Sequence, residues 1–189
     1  MGNASEQVVA RIRKLGFVCD EVSTDALQSA TAALSCIPMY MVSNVHGWTE
    51  DKQFKIPFLN VEGSESFREA FVIGQEEAAL DIDKPHRKIL SGFLRADHAA
   101  DLIIYEYALD TLRMFLAEAG PSVASQVRIA VARMIVNVAK ASGKGIGGSG
   151  EKVSDEEREC ITQITDTLGL RAAPEAKTIL ADLDAPQAE

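Results

Sequence analysis

Carboxylates are the residues whose types and spacing come nearest to chemistry in this chain. Glu50 and Asp51 follow a candidate helix cap at Thr49, and Asp155, Glu156 and Glu157 follow another at Ser154. If the two turns meet, these five side chains form a candidate site for a divalent cation, held through oxygen. The same residues also stabilise a helix start with no ion present, because the first turn carries a partial positive charge. Their spacing lacks the alternate-residue oxygens of an EF-hand loop. A second constellation is Asp97-His98-Ala-Ala-Asp101, which sets ligand-type side chains three and four apart on a helix start. Carboxylate-bridged helical bundles use that spacing, but they repeat Glu-x-x-His on further helices, and this chain does not.

Other motifs give less. Gly143-Lys-Gly-Ile-Gly-Gly148 matches GxGxxG in form, yet a helical pattern precedes it where a dinucleotide fingerprint needs a strand. Lys144 is not followed by a Walker serine at the right spacing, so the stretch reads as a flexible link. No Gly-x-Ser-x-Gly elbow and no cysteine signature with a histidine partner appears. Cys36 and Cys160 fall in apolar helical stretches and read as core thiols. His46 with Trp48 reads as a helix end with an apolar anchor, and His86, just ahead of Arg87-Lys88, reads as solvated surface. No catalytic residue and no cofactor site follows from these patterns, and a non-enzymatic protein is expected.

Charge narrows the partners. The formal net charge is −9, and no stripe of lysine and arginine exists to displace counterions from a phosphate backbone, which argues against nucleic acid. Arg11-Ile12-Arg13-Lys14 fits the last turn of a first helix, where cations suit the dipole. Three cysteines without a CxxC pair favour a reduced, cytoplasmic setting. No apolar run reaches the roughly 18 residues that a membrane span requires. Gly2 fails the myristoylation pattern, since Glu6 stands where Ser or Thr is needed.

The elements that must position these residues are all helical. Aromatic residues are only 6% of the chain while alanine recurs throughout, a composition suited to close helix packing and not to sheets. A first helix runs from Ser5 to Leu15 with Val8, Ile12 and Leu15 on one face, and Gly16 stops it. A second starts at Ser23 or Thr24 and runs toward His46-Gly47 as one element, kinked at Pro38. Thr49 and Ser64 offer caps to two further helices. Asp83-Lys84-Pro85 starts another, with Ile89, Leu90, Phe93 and Leu94 as its buried face. From Asp97 to Ala119, Leu102, Tyr105, Leu109, Leu112 and Leu116 recur at helical steps. Gly120-Pro121 stops that helix and starts the next, which reaches about Ser142. Its inward positions are Val123, Val127, Val131, Met134, Ile135 and Val138, and its apolar circumference predicts the central helix. Ser154-Asp-Glu-Glu157 forms a capping box for a helix carrying Ile161, Ile164 and Leu168, stopped by Gly169. Pro174 opens a last short helix. The expected architecture is a compact all-α domain of about seven to nine helices over residues 1–184, with 185–189 as a tail.

Two stretches share a plan: an apolar helix, a glycine turn, an apolar residue (Trp48 or Val153), then a capped acidic helix. They suggest a pseudo-twofold duplication. The order of an Ala/Val-rich helix, a glycine turn, Ser-Asp-Glu-Glu, an Ile-periodic helix and Leu168-Gly-Leu170 resembles the tellurite-resistance TerB-like family. Residues Val131 to Leu170 carry the resemblance, with an echo from Ala32 to Phe54. It implies a compact helical domain with two such units, a link to stress response and partner binding, and an acidic loop surface proposed to hold metal ions. Protein partners or self-association are the expected mode of action. The family's Asp-Gly turns are replaced here by His46-Gly47 and Ser149-Gly150, and Asp51 or Lys52 takes the acidic position after the first cap.

Overall fold

A computed structural model describes residues 5–17, 24–43, 45, 82–93, 98–142, 153–181 and 183. The expected helices after Thr49 and Ser64, the glycine loop and the tail lie outside these residues, as do Glu50, Asp51, His46, Trp48 and Cys19. So do the turns on which the suggested duplication depends. Among the described residues the protein is all-α, with seven α-helices: α1 (Glu6–Lys14), α2 (Thr24–Ser43), α3 (Lys84–Phe93), α4 (His98–Glu118), α5 (Pro121–Ser142), α6 (Asp155–Leu168) and α7 (Pro174–Ala181). A single 3-10 turn, Leu170–Ala172, joins α6 to α7.

Local chemistry sets most of the boundaries. Ser5 caps α1 by accepting from the Val8 amide, and the chain then passes through Gly16 at φ 91°, a left-handed value that favours glycine. The capping box of α6 is complete: Ser154 Oγ accepts from the Glu157 amide at 3.1 Å, and Glu157 Oε2 accepts from the Ser154 amide at 2.9 Å. Gly169, at φ 57°, ends that helix in the left-handed conformation. Between α4 and α5 the restart is immediate. The Ala119 amide bonds back to Phe115, and the Ala124 amide already bonds to Gly120, with Pro121 free of any donor to satisfy.

One hydrophobic core joins residues from all the helices. Its middle is α2, which packs against α1, α3, α4, α5 and α6. Every residue from Ser29 to Val42 is buried, with Leu34, Ile37, Met39 and Tyr40 at most 1% exposed. Side chains of that size gain roughly 1.5–3 kcal/mol each on full burial. The helix continues through Pro38 as one element, as the sequence suggested. The expectation that α5 is the central helix is corrected. Val123, Val127 and Ile129 on α5 are only partly buried, whereas α2 is enclosed on every side over four turns. The apolar face of α4 falls where expected, with Tyr105, Leu109, Leu112 and Leu116 buried.

Candidate functional site

The acidic turn of α6 divides the predicted carboxylate set. Asp155 and Glu156 are exposed in its first turn, while Glu157 is 5% exposed and holds the Ser154 amide in the capping box. A carboxylate that closes a cap has already spent one oxygen on the backbone. Glu50 and Asp51 belong to the undescribed part of the chain. Among the described residues no three His, Cys, Asp or Glu side chains come together as a metal-binding group. Asp97 also lies outside the described residues, and only the backbone of His98 and Asp101 is described.

A different polar cluster, which the sequence reading missed, joins α2 to α3. His86 is 1% exposed, not the solvated residue that Arg87-Lys88 suggested. Asp83 precedes α3 and accepts from the His86 amide through Oδ1 at 3.0 Å. The same oxygen lies 2.8 Å from His86 Nδ1, and Ser29 Oγ of α2 also lies 2.8 Å from that nitrogen. The Asp83 amide then donates to Ser29 Oγ at 2.9 Å. Phe17 backs the imidazole, with ring centroids 5.8 Å apart. Pro85, just before His86, fixes the backbone φ of this first turn. The clue was the Asp83-x-x-His86 spacing at a proline-marked helix start, which lets an aspartate cap both the amide and the ring.

Serine, histidine and aspartate in contact invite comparison with a hydrolytic triad, but the geometry differs. A triad places serine on Nε2 and aspartate on Nδ1, so that the ring can pass a proton between them. Here both oxygens share Nδ1. A carboxylate only accepts, so its 2.8 Å contact requires the proton on Nδ1, and that nitrogen is then no base for Ser29. The cluster is a buried clasp between helices.

A second clasp fixes α1 on α4. Arg11 donates to Asp110 Oδ2 at 2.8 Å and to Thr111 Oγ1 at 3.1 Å, while its guanidinium lies 4.1 Å from the centre of the Tyr107 ring. Arg113 binds the other Asp110 oxygen at 2.6 and 2.9 Å, so this carboxylate is saturated by two cations. Glu118 accepts from both the amide and the hydroxyl of Ser5, at 2.8 and 2.7 Å. The two described cysteines are buried thiols, as expected. Burial, reinforced by Glu157, pushes the Cys160 thiol up to about 12, which leaves almost no thiolate for nucleophilic work at neutral pH. Burial also raises the Tyr40 hydroxyl well above its usual value, with Cys36 and Tyr105 adding to the effect.

Among the described residues the large apolar side chains left exposed stand together in one place. Ile103 is 80% exposed and its neighbour Ile104 41% exposed, both in the first half of α4. No described helix is long and apolar enough to cross a membrane. Compared with family models, with curated proteins and with solved structures, the chain matches none.

Proposed function

We propose that this chain is a non-enzymatic helical interaction domain, TerB-like in plan, that works through protein partners or self-association. The observation that carries the reading is the adjacent pair Ile103 and Ile104, large aliphatic side chains left in solvent on a helix whose other face is well packed. Full exposure of such a group forfeits roughly 1.5–3 kcal/mol relative to burial, a loss that falls mainly on Ile103, and an exposed apolar patch is a common mark of a protein contact. The fate of the buried polar groups supports the same reading. Glu157 closes a cap, His86 and Ser29 join two helices, Thr111 anchors Arg11, and the Cys160 thiol is held protonated. These groups serve the scaffold. The first test is a pull-down from native extract with the full chain as bait, alongside sedimentation of the purified protein. A stable partner or dimer that is lost on Ile103→Asp with Ile104→Asp is the expected result, and finding neither partner nor dimer overturns the reading.

A second reading is a divalent-cation site on Glu50, Asp51, Asp155, Glu156 and Glu157. The exposed pair Asp155 and Glu156 favours it, since both carboxylates stand in the first turn of α6. Thermal shift with Ca²⁺, Zn²⁺ and Mn²⁺ on the wild type and on Asp155→Ala with Glu156→Ala tests it. Metal-dependent stabilisation lost in the variant is required, and an unchanged melting curve in all three metals sinks it.

A further inference from the structure

We infer that the exposed face of α4 binds a second copy of this chain, with the two α4 helices antiparallel about Asp110. This rests on the reading of the chain as an interaction domain, and it names the partner. Ile103, Glu106, Arg113 and Ala117 are all exposed, and Asp110 between them is partly so. Steps of three, four, three and four residues set these five side chains in one stripe along the helix. That stripe lies opposite the buried one formed by Tyr105, Leu109, Leu112 and Leu116. On one flank α1 lies along α4, where Arg11 reaches Asp110 and Thr111, and Ser5 reaches Glu118.

A twofold contact must be self-complementary, because both copies present the same patch. The stripe meets that demand. When two such helices run antiparallel, positions equidistant from Asp110 come together. Ile103 and Ala117 are each seven residues from it, so the large side chain of one copy meets the small one of the other. Glu106 lies four residues before Asp110 and Arg113 three after, a mismatch of one residue, about 1.5 Å of rise. Each copy's glutamate therefore lies against the other's arginine, and the contact is made twice. A parallel pair would instead set glutamate on glutamate and arginine on arginine, which repel.

The charged groups are available for this contact. Among the described residues Glu106 has no partner. Arg113 gives Nε and one terminal nitrogen to Asp110, which leaves its other terminal nitrogen for a second carboxylate. Asp110 stands on the axis, where it faces its own copy, but Arg11 and Arg113 already offset its charge. The face is thus locally balanced, two carboxylates against two guanidiniums. The net charge of −9 on each copy still opposes association. At physiological salt, charges separated by more than about 8 Å are largely screened, so the contacts within the face decide the outcome. A helix face about 21 Å long and 10 Å across falls well short of the roughly 800 Å² per partner of a standard interface. The dimer is therefore weak, and it forms in concentrated solution.

The test is sedimentation velocity of the full chain at physiological salt, over a series from low micromolar to near-millimolar concentration. Wild type is compared with Ile103→Asp, with Glu106→Arg, with Arg113→Glu, and with an equimolar mixture of the last two. Circular dichroism checks that each variant stays folded. The wild type should dimerise. Each variant alone should weaken the dimer about tenfold or more, because a symmetric contact carries every change twice. The mixture should recover, since its two changed positions meet with opposite charge and so do its two unchanged ones. A wild type that stays monomeric throughout, a charge variant that dimerises as well as wild type, or a mixture no better than its components overturns the proposal. Capture of a different protein through Ile103 and Ile104, with the purified chain monomeric, removes this proposal alone and leaves the interaction-domain reading standing.

Discussion

Replacing His86 with alanine removes a ring that is 1% exposed, along with its 2.8 Å contacts to Ser29 Oγ and Asp83 Oδ1 and its packing against Phe17. Two costs combine. The lost ring leaves a cavity between α2 and α3, and the buried Ser29 hydroxyl and the Asp83 carboxylate lose a donor. Together these predict destabilisation of about 2–4 kcal/mol. For a chain of this length the fall in Tm is roughly 5–15 °C. The Asp83 cap on the His86 amide is a backbone contact and persists, so α3 should loosen from α2 without losing its start. Urea unfolding followed by circular dichroism gives the free energy, with an unchanged m-value showing that the unfolded state is not what moved. His86→Phe restores most of the volume but not the nitrogen, and should recover only part of the loss. A change below about 0.5 kcal/mol, the range of ordinary surface substitutions, would refute the buried clasp and restore the solvated reading.

The remaining predictions concern the other fixed points. Ser154→Ala removes the acceptor for the Glu157 amide, and should cost about 1 kcal/mol by urea unfolding. Asp110→Ala leaves Arg11 and Arg113 without their shared carboxylate, but the pair is partly exposed, so the loss should stay within about 1 kcal/mol and shrink in high salt. Cys160 should react with thiol reagents only at the rate of unfolding at pH 8, since burial holds its thiol at about 12. The sign of its pH linkage follows. Its folded value lies above the unfolded reference of 9.0, so this group leaves stability unchanged below pH 9 and lowers it as pH rises from there toward 12. Unfolding curves with and without Cys160→Ala across that interval check it.

What the sequence made legible, and what it did not, follows from the range of the forces involved. Caps and stops are local. Gly16, Ser154 with Glu157, Gly169 and the Gly120-Pro121 restart could be read directly, because each needs only its neighbours within a turn. The buried stripe of α4 was equally plain, since three- and four-residue steps report one face. The rank of the helices was not. A stripe of valines suggested α5 as the centre, but enclosure depends on how many neighbours pack around a helix. The small residues of α2, Ala30, Ala32, Ala33, Ser29 and Ser35, are what let several helices approach it. His86 was misread for a related reason. Its charged neighbours suggested surface, while the partner that buries it, Ser29, lies 57 residues away in sequence. Glu157 was legible both as a cap and as a ligand candidate, and the structure places it in the cap. The exposed pair on α4 had no sequence signature either, because an apolar residue on a helix gives no sign of which face lacks a neighbour.

The central claim, that the exposed face of α4 is where this domain meets a partner, is tested most directly by one comparison. Wild type and the variant Ile103→Asp with Ile104→Asp are titrated against the partner recovered by the wild-type bait, or sedimented over a concentration series if that partner is a second copy. Ile103 is 80% exposed and Ile104 41%, so the variant should stay folded with a lowered Tm set by the covered part of Ile104, and circular dichroism at the assay temperature checks this. The account predicts that binding is lost or weakened at least about tenfold, roughly the worth of one buried aliphatic anchor at a contact. Undiminished binding by a folded variant would contradict it.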